Sequence, residues 1–184
     1  MNFLIVTGLS GAGKSMAVNA LEDIGFFCID NIPAGLLPRI LDFAQQGENQ
    51  LSRVAVVMDI RGLHSVQETN EALEALDEKK MPYDILFLDA SDAAIRRRYK
   101  ETRRVHPMTI SEGIPVSEAI TKERQILQPL RERAKYVIDT SLLSTAQTGN
   151  VFPACFCKKV SVPCLSTWFP LALNTVFRRS GHRV

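Results

Sequence analysis

The run Gly8-Leu9-Ser10-Gly11-Ala12-Gly13-Lys14-Ser15 constrains this chain more than any other stretch. It satisfies G-x-x-x-x-G-K-[ST] in full, and its flanks are the ones that motif requires. Before it stands a short apolar run, Asn2–Thr7, in the form of a buried parallel strand. After it, Lys14–Asp23 carries Ala17, Val18 and Leu21 at helical spacing. Strand, glycine-rich turn and helix in that order make a phosphate-binding loop. The glycines let backbone N–H groups approach phosphate oxygens without side-chain obstruction. The helix N-terminus adds partial positive charge. In that geometry Lys14 offers a cation to the β- and γ-phosphates, and Ser15 offers a hydroxyl to Mg²⁺. The expected ligand is a nucleoside triphosphate.

The rest of the chain alternates strand and helix signals. Phe26–Ile29 is a second apolar run, ending at Asp30-Asn31, and a helix is predicted from about Pro33 to Gln46, with Pro33 in its first turn. Arg53–Asp59 is the clearest strand, with Val54–Met58 an unbroken apolar block. Ser65 and Glu68 fit a capping box that opens a helix toward Lys79. Asp84–Asp89 is another strand, and Asp92 is placed to cap a helix running through Lys100. Thr102–Pro115 is polar, with prolines and a glycine, and is expected to be a loop or mobile lid. Val116, Ala119, Ile120, Glu123 and Leu127 have helical spacing, and Pro129 is expected to kink or end that helix. Lys135–Asp139 closes the series as a short strand. The pattern predicts an α/β fold of the P-loop NTPase type, a kinase-like three-layer sandwich around a central parallel sheet of about five strands.

Length and charge narrow the function classes. The 184 residues suffice for one α/β domain, and a net charge of +2 lacks the overall basicity of a dedicated nucleic-acid binder. The opening apolar run is too short for a secretory signal, and no apolar stretch is long enough to span a bilayer. A cytoplasmic protein without a membrane partner is expected. Cys28 stands alone, and Cys155, Cys157 and Cys164 lack a matching pair or histidine, which makes a weak zinc signal.

Asp30, Asp59 and Asp89 each end a predicted strand. Ligands of open α/β sheets sit beyond the carboxyl ends of the strands, so all three are candidates to face the nucleotide. Asp59 is preferred for holding Mg²⁺ through water, because it follows the most apolar and so the expected most central strand. Such aspartates also cap helices and begin turns. Arg96-Arg97-Arg98, Lys100, Arg103 and Arg104 cluster at a predicted helix end and the following loop. Three readings stay open: a solvated helix face, a lid in which Arg103 and Arg104 close over the triphosphate, or a grip on RNA phosphates. His106, in the same loop, has no evident partner in the sequence.

Several blocks together carry a resemblance: GLSGAGKS, ALEDIGFFCIDNIP at Ala20–Pro33, MDIRG at Met58–Gly62, LFLDA at Leu86–Ala90, RRYKETRRVHP at Arg97–Pro107 and ERAKYVIDTS at Glu132–Ser141. Over Met1 to about Gln147 the chain resembles the RapZ/YvcJ family of nucleotide-binding proteins, whose best-known member is an RNase adapter. LEDIGFFCIDN and TRRVHP are far more specific to it than the phosphate loop. The resemblance implies binding and slow hydrolysis of ATP and GTP. It places ATP on Gly8–Ser15, and GTP on Asp59, Ile60, Arg61 and Gly62. It also implies an RNA or RNase partner through a second domain. Three function classes follow: a P-loop NTPase, a nucleotide-regulated RNA-binding adapter and a small-molecule kinase. Nothing in the sequence separates ATP from GTP or sets the oligomeric state.

From about Thr148 the chain departs from that pattern. Gly149–Val184 has no clear period and an unusual clustering of Cys, Pro and Trp. Leu165–Arg179 can be encoded so that the shifted frame reads Val-Asn-Val-Val-Ser-Phe-Gly-Phe-Glu-Tyr-Gly-Ile-Pro-Ala. That string resembles the start of the family's second domain. A reading-frame shift giving a poorly ordered tail over residues 148–184 is therefore expected, after a nucleotide-binding domain over 1–147.

Overall fold

The computed structural model describes residues 2–46, 52–62, 66–78, 80, 82–143 and 177–178. Strand β1 (Asn2–Gly8) leads through the phosphate loop into helix α1 (Lys14–Asp23). Then come β2 (Phe27–Ile29), a 3₁₀ turn (Ala34–Leu36), α2 (Leu37–Gln46) and β3 (Arg53–Val57). A second 3₁₀ turn (Ile60–Gly62) precedes α3 (Val66–Glu78) and β4 (Tyr83–Asp89). Helices α4 (Asp92–Thr102), α5 (Pro107–Glu112) and α6 (Val116–Arg133) lead to β5 (Tyr136–Asp139). A two-residue β6 (Phe177–Arg178) pairs antiparallel with β5.

The sheet runs in the order β2-β3-β1-β4-β5-β6, and β1 to β5 are mutually parallel. The expected five-strand parallel sheet is thus present. Crossovers between parallel strands are right-handed, so the step from β1 out to β2 places α1 on one face. The steps in the other direction place α2, α3 and α6 on the opposite face. Strands covered on both sides must be apolar throughout, and they are: Phe3–Val6, Val54–Val57 and Ile85–Leu88 are all buried. Each helix adds one stripe, such as Ala17, Ala20 and Leu21 of α1 or Ala119, Ile120, Ile126, Leu127 and Leu130 of α6.

Four local expectations are revised. The helix expected from Pro33 begins as a 3₁₀ turn capped by Pro33, and its α-helical part starts at Leu37. Ser91, not Asp92, caps α4: its hydroxyl accepts the Ala94 N–H at 3.3 Å, while Asp92 lies in the first turn, where a carboxylate still favours the helix dipole. The stretch Thr102–Pro115 is not all loop, because α5 forms inside it with Pro107 at its start. Pro129 does not end α6; the helix continues to Arg133, with Leu127 and Leu130 anchored in the core on either side of the proline. Ser65 lies outside the described residues.

β1, not β3, occupies the middle of the parallel sheet, although β3 lies directly beside it. The connection leaving β1 and the one leaving β3 run in opposite directions. The carboxyl ends of these two strands therefore border a topological switch point, where open α/β sheets bind ligands. The phosphate loop and the segment after β3 emerge there side by side.

Candidate functional site

The shape of the loop begins at Gly8. Its φ is 137°, and its neighbour Leu9 donates its N–H across to the Leu88 carbonyl of β4 at 3.1 Å. The Ala12 N–H returns to the Leu9 carbonyl at 2.9 Å, closing the turn. Gly13, in the left-handed region at φ 101°, then caps α1, a conformation that favours glycine. The N–H groups of Gly13, Lys14 and Ser15 meet no backbone acceptor among the described residues. They are the orphan donors of a helix start.

Lys14 folds back over the loop. Its Nζ donates to the Gly8 carbonyl at 2.7 Å and lies 3.5 Å from Asp59 Oδ1. Asp59 is carried there by the exit of β3, which is stitched to β1 by two bonds: Met58 N–H to the Val6 carbonyl (2.9 Å) and the Thr7 hydroxyl to the Met58 carbonyl (3.1 Å). Asp59 Oδ1 also accepts the Ile60 N–H at 2.7 Å, and Arg61 Nε stands 3.6 Å from Oδ2.

An open cavity of about 350 Å³ lies over these groups. Ser10, Gly11, Gly13, Lys14 and Ser15 line it from the loop, and Asp59 and Arg61 from the end of β3. Met16 of α1 and Arg98, Tyr99, Glu101, Thr102, Arg104, Val105 and Pro107, from α4 through the start of α5, complete the lining. The remaining candidates lie elsewhere. Leu9 and Ala12 are fully buried in the core, and Gly8 is wedged against Leu88. Ile60 is buried, and Gly62 packs against Ile32 and Pro33. So the Asp59–Gly62 segment contributes Asp59 and Arg61 to the same cavity as the phosphate loop, and its other two residues pack behind it.

The three strand-end aspartates have different surroundings. Only Asp59 lines the cavity. Asp30 is exposed and accepts the N–H of Asn31, forming a turn. Asp89 receives Arg124 Nη1 at 2.9 Å and Arg131 Nε at 3.1 Å, both from α6. Burial works against the Arg124 charge, but the hydrogen bonds it donates to Asp89 and Asp92 outweigh it and raise that guanidinium's proton affinity. Asp89 thus fastens α6 to the sheet, and of the three candidate carboxylates only that of Asp59 borders the cavity.

The arginines divide likewise. Arg98 donates to the Gly11 carbonyl (2.9 Å), the Thr140 hydroxyl (3.1 Å) and the Leu143 carbonyl (3.2 Å), tying the loop to the end of β5. Burial, then the charge of Arg97, lower the proton affinity of Arg98. Arg103 ends α4 in the left-handed region at φ 52° and does not line the cavity, whereas Arg104 does. Arg96 and Arg97 are exposed on α4.

One group escaped the sequence reading. His106, Glu123 and Ser10 form a buried cluster, with His106 and Glu123 at 0% exposure. The Ser10 N–H reaches both carboxylate oxygens of Glu123, at 3.0 and 3.1 Å, and its hydroxyl donates to Oε1 at 2.7 Å. His106 Nδ1 accepts the Met108 N–H at 3.2 Å, capping α5, which leaves Nε2 to donate to Glu123 Oε2 at 3.1 Å. Tyr99 packs by the His106 ring, 5.4 Å between centroids; burial first, then the Glu123 charge, push its phenol well above the usual range. The signal in the sequence was the carboxylate itself: Glu123 sits in the apolar stripe of α6, where an ionisable side chain needs partners.

Among the described residues no cluster of His, Cys, Asp or Glu could hold a metal by itself, and no helix is long and apolar enough to cross a membrane. Cys155, Cys157 and Cys164 lie outside the described residues. Residues 1–157 match the sequence profile of the RapZ-like N-terminal domain. A protein of Alkaliphilus oremlandii named "Nucleotide-binding protein" is 46% identical over 147 residues, covering 80% of this chain and 50% of its own length. One of the same name from Moorella thermoacetica is 50% identical over 148 residues, 78% of this chain and 48% of its own. The chain thus spans about half the length of the curated relatives it matches. Among solved structures, shikimate kinase from Acinetobacter baumannii, in complex with shikimate, superposes with a TM-score of 0.54 at 19% identity, covering 86% of this chain and 93% of that one. Shikimate kinase from Bacteroides thetaiotaomicron gives 0.51 at 13% identity, with 87% and 98% covered. These two likenesses establish the P-loop kinase fold.

Proposed function

Since the chain belongs to the RapZ-like N-terminal domain family, we propose that it binds a nucleoside triphosphate with Mg²⁺ in the cavity over the phosphate loop and slowly hydrolyses ATP, GTP or both. One observation carries this reading: Lys14, the exposed Ser15 and Asp59 converge on one cavity, and the residues bearing the unbonded N–H groups of the α1 start line it. Phosphate oxygens would meet those N–H groups and the Lys14 ammonium. The relatives named as nucleotide-binding support the ligand class.

The donor set suits Mg²⁺. A serine hydroxyl and one carboxylate are hard oxygen ligands, and Mg²⁺ commonly takes only one or two such groups plus water and phosphate. Ser15 and Asp59 would hold it, and when bound it neutralises charge between the β- and γ-phosphates. Titrating the purified chain with ATP and GTP, with and without Mg²⁺, tests the proposal; absence of binding by both defeats it. In the same titration Asp59→Asn should weaken Mg²⁺-dependent binding about tenfold, with a smaller change when metal is left out. Equal losses in both conditions would remove Asp59 from the metal role.

Arg104, which lines the cavity, would meet charge that develops on the phosphate. Arg104→Ala should slow turnover about tenfold or more while changing ground-state affinity less, and Arg103→Ala should do little. Equal effects of the two substitutions on turnover would argue against this division. Arg61 and Arg104 enter one cavity from different elements, which also favours phosphoryl transfer to a small hydroxyl-bearing acceptor. Turnover that rises with such acceptors present would establish that reading over hydrolysis. The adapter role with RNA or an RNase would rest on the exposed Arg96, Arg97 and Arg103, and RNA binding across a salt series tests it. The frame shift from about Thr148 stands as a proposal on the coding sequence; sequencing that DNA decides it.

A further inference from the structure

Ligand contact at the phosphate loop does not require the carboxylate of Glu123, which is buried behind the loop at 0% exposure. We propose that Glu123 is a positioning residue: from the middle of α6 it clamps the third residue of the phosphate loop to the cap of α5, so that loop shape and the arginine-bearing segment before α5 are set together. This inference rests on the proposed triphosphate site and adds to it a residue that lines no part of the cavity.

The geometry requires three donors to converge on one carboxylate. Ser10 supplies its N–H and its hydroxyl, and His106 supplies Nε2–H. Ser10 and Glu123 are 113 residues apart, and His106 and Glu123 are 17 apart, so the carboxylate joins two separate segments to a third. Its consequence for the loop is selective. The N–H groups of Leu9 and Ala12 are spent on the Leu88 and Leu9 carbonyls, and that of Ser10 is drawn back to Glu123. The N–H groups of Gly11 and of Gly13 to Ser15 are left to face a phosphate. At the other end, His106 is the residue after Arg104 and Val105, both of which line the cavity. Its ring cannot turn without losing both the Glu123 contact and the cap on Met108 N–H.

A carboxylate accepts from all three donors at once. A glutamine amide presents an NH₂ where one of them sits, and the His106 tautomer cannot change to accommodate it, because Nδ1 is committed as an acceptor. Glu123→Gln should therefore loosen both ends together. The test uses the full chain at a temperature where the circular dichroism of the variant matches wild type. Two quantities are read: the affinity for Mg-ATP and Mg-GTP, and the rate of tryptic cleavage after Arg103 and Arg104, followed by mass spectrometry. We expect an affinity loss of roughly tenfold and cleavage faster by about fivefold in the same variant. A change at one end with the other unaltered would overturn the clamp.

Should Glu123→Gln fail to fold, milder variants ask the same question crosswise. His106→Gln, outside the cavity lining, should weaken triphosphate binding, and Ser10→Ala should speed cleavage after Arg103 and Arg104. Each variant acting only at its own end would refute the proposal. If wild type binds neither nucleotide, the triphosphate site fails, yet the cleavage readout of Ser10→Ala still decides whether loop and α5 segment are linked.

Discussion

Lys14→Ala is expected to lose triphosphate affinity by about 100-fold and to reduce turnover below detection, with the melting temperature nearly unchanged. The side chain is 11% exposed and held at the base of the cavity by the Gly8 carbonyl and Asp59, so no apolar packing depends on its ammonium. It is a fixed charge aimed at where phosphate oxygens would gather, in a site partly shielded from water. One such electrostatic contact is worth roughly 2–4 kcal/mol, about 30- to 1,000-fold in affinity or rate. Its loss leaves Asp59 with Arg61 nearby and access to solvent, so the stability change should stay within about 1 kcal/mol. Isothermal titration with ATP and GTP, paired with a thermal melt, checks both halves. Wild-type affinity in this variant would end the phosphate-loop reading. A large fall in melting temperature would show that the lysine is a structural brace.

The largest stability effect is expected at Gly8. A Cβ built there would lie 2.1 Å from the Leu88 carbonyl oxygen and 2.6 Å from the Leu88 nitrogen, which are backbone atoms of β4 and cannot rotate away. The φ of 137° is moreover a conformation that L side chains rarely adopt. Gly8→Ala must therefore pry β1 from β4 at the register pair Gly8↔Leu88 and break the Leu9 N–H bond to Leu88. Strain and lost pairing together should cost about 3 kcal/mol or more, lowering the melting temperature by about 10 °C. Gly35→Ala is the control, because a Cβ there meets nothing within 4 Å. Equal melting temperatures for the two variants would contradict the close approach of β1 and β4.

How much of this was legible in the sequence depends on the range over which each feature acts. The loop was readable because its residues are contiguous, and its function is a property of local backbone and one lysine. The five parallel strands were readable because burial on both faces demands continuous apolar runs such as Val54–Met58. Cap positions were less so: Ser91 and Asp92 are both good N-caps by type, and only the hydrogen bond to Ala94 N–H distinguishes them. Pro129 does not end α6, because the local cost of a proline in a helix is outweighed by Leu127 and Leu130, whose burial depends on elements far along the chain.

The site shows the same division. Asp30, Asp59 and Asp89 all end strand signals, and Asp59 was preferred on the expectation that its strand is the most central, a place that β1 takes instead. The strand order then put β3 beside β1 and brought Asp59 to within 3.5 Å of Lys14, and it placed Asp89 under two arginines of α6. His106 had no visible partner because that partner sits on another helix. From the sequence alone came the phosphate loop, the α/β class and the cationic stretch around α4, each set by residue type and short-range periodicity. The surroundings of each strand-end aspartate, the separate surroundings of Arg98, Arg103 and Arg104, and the joining of Ser10, Glu123 and His106 were decided only by the tertiary structure. Those depend on which segments the sheet brings together, and a buried carboxylate is tolerated only where packing has already delivered its donors.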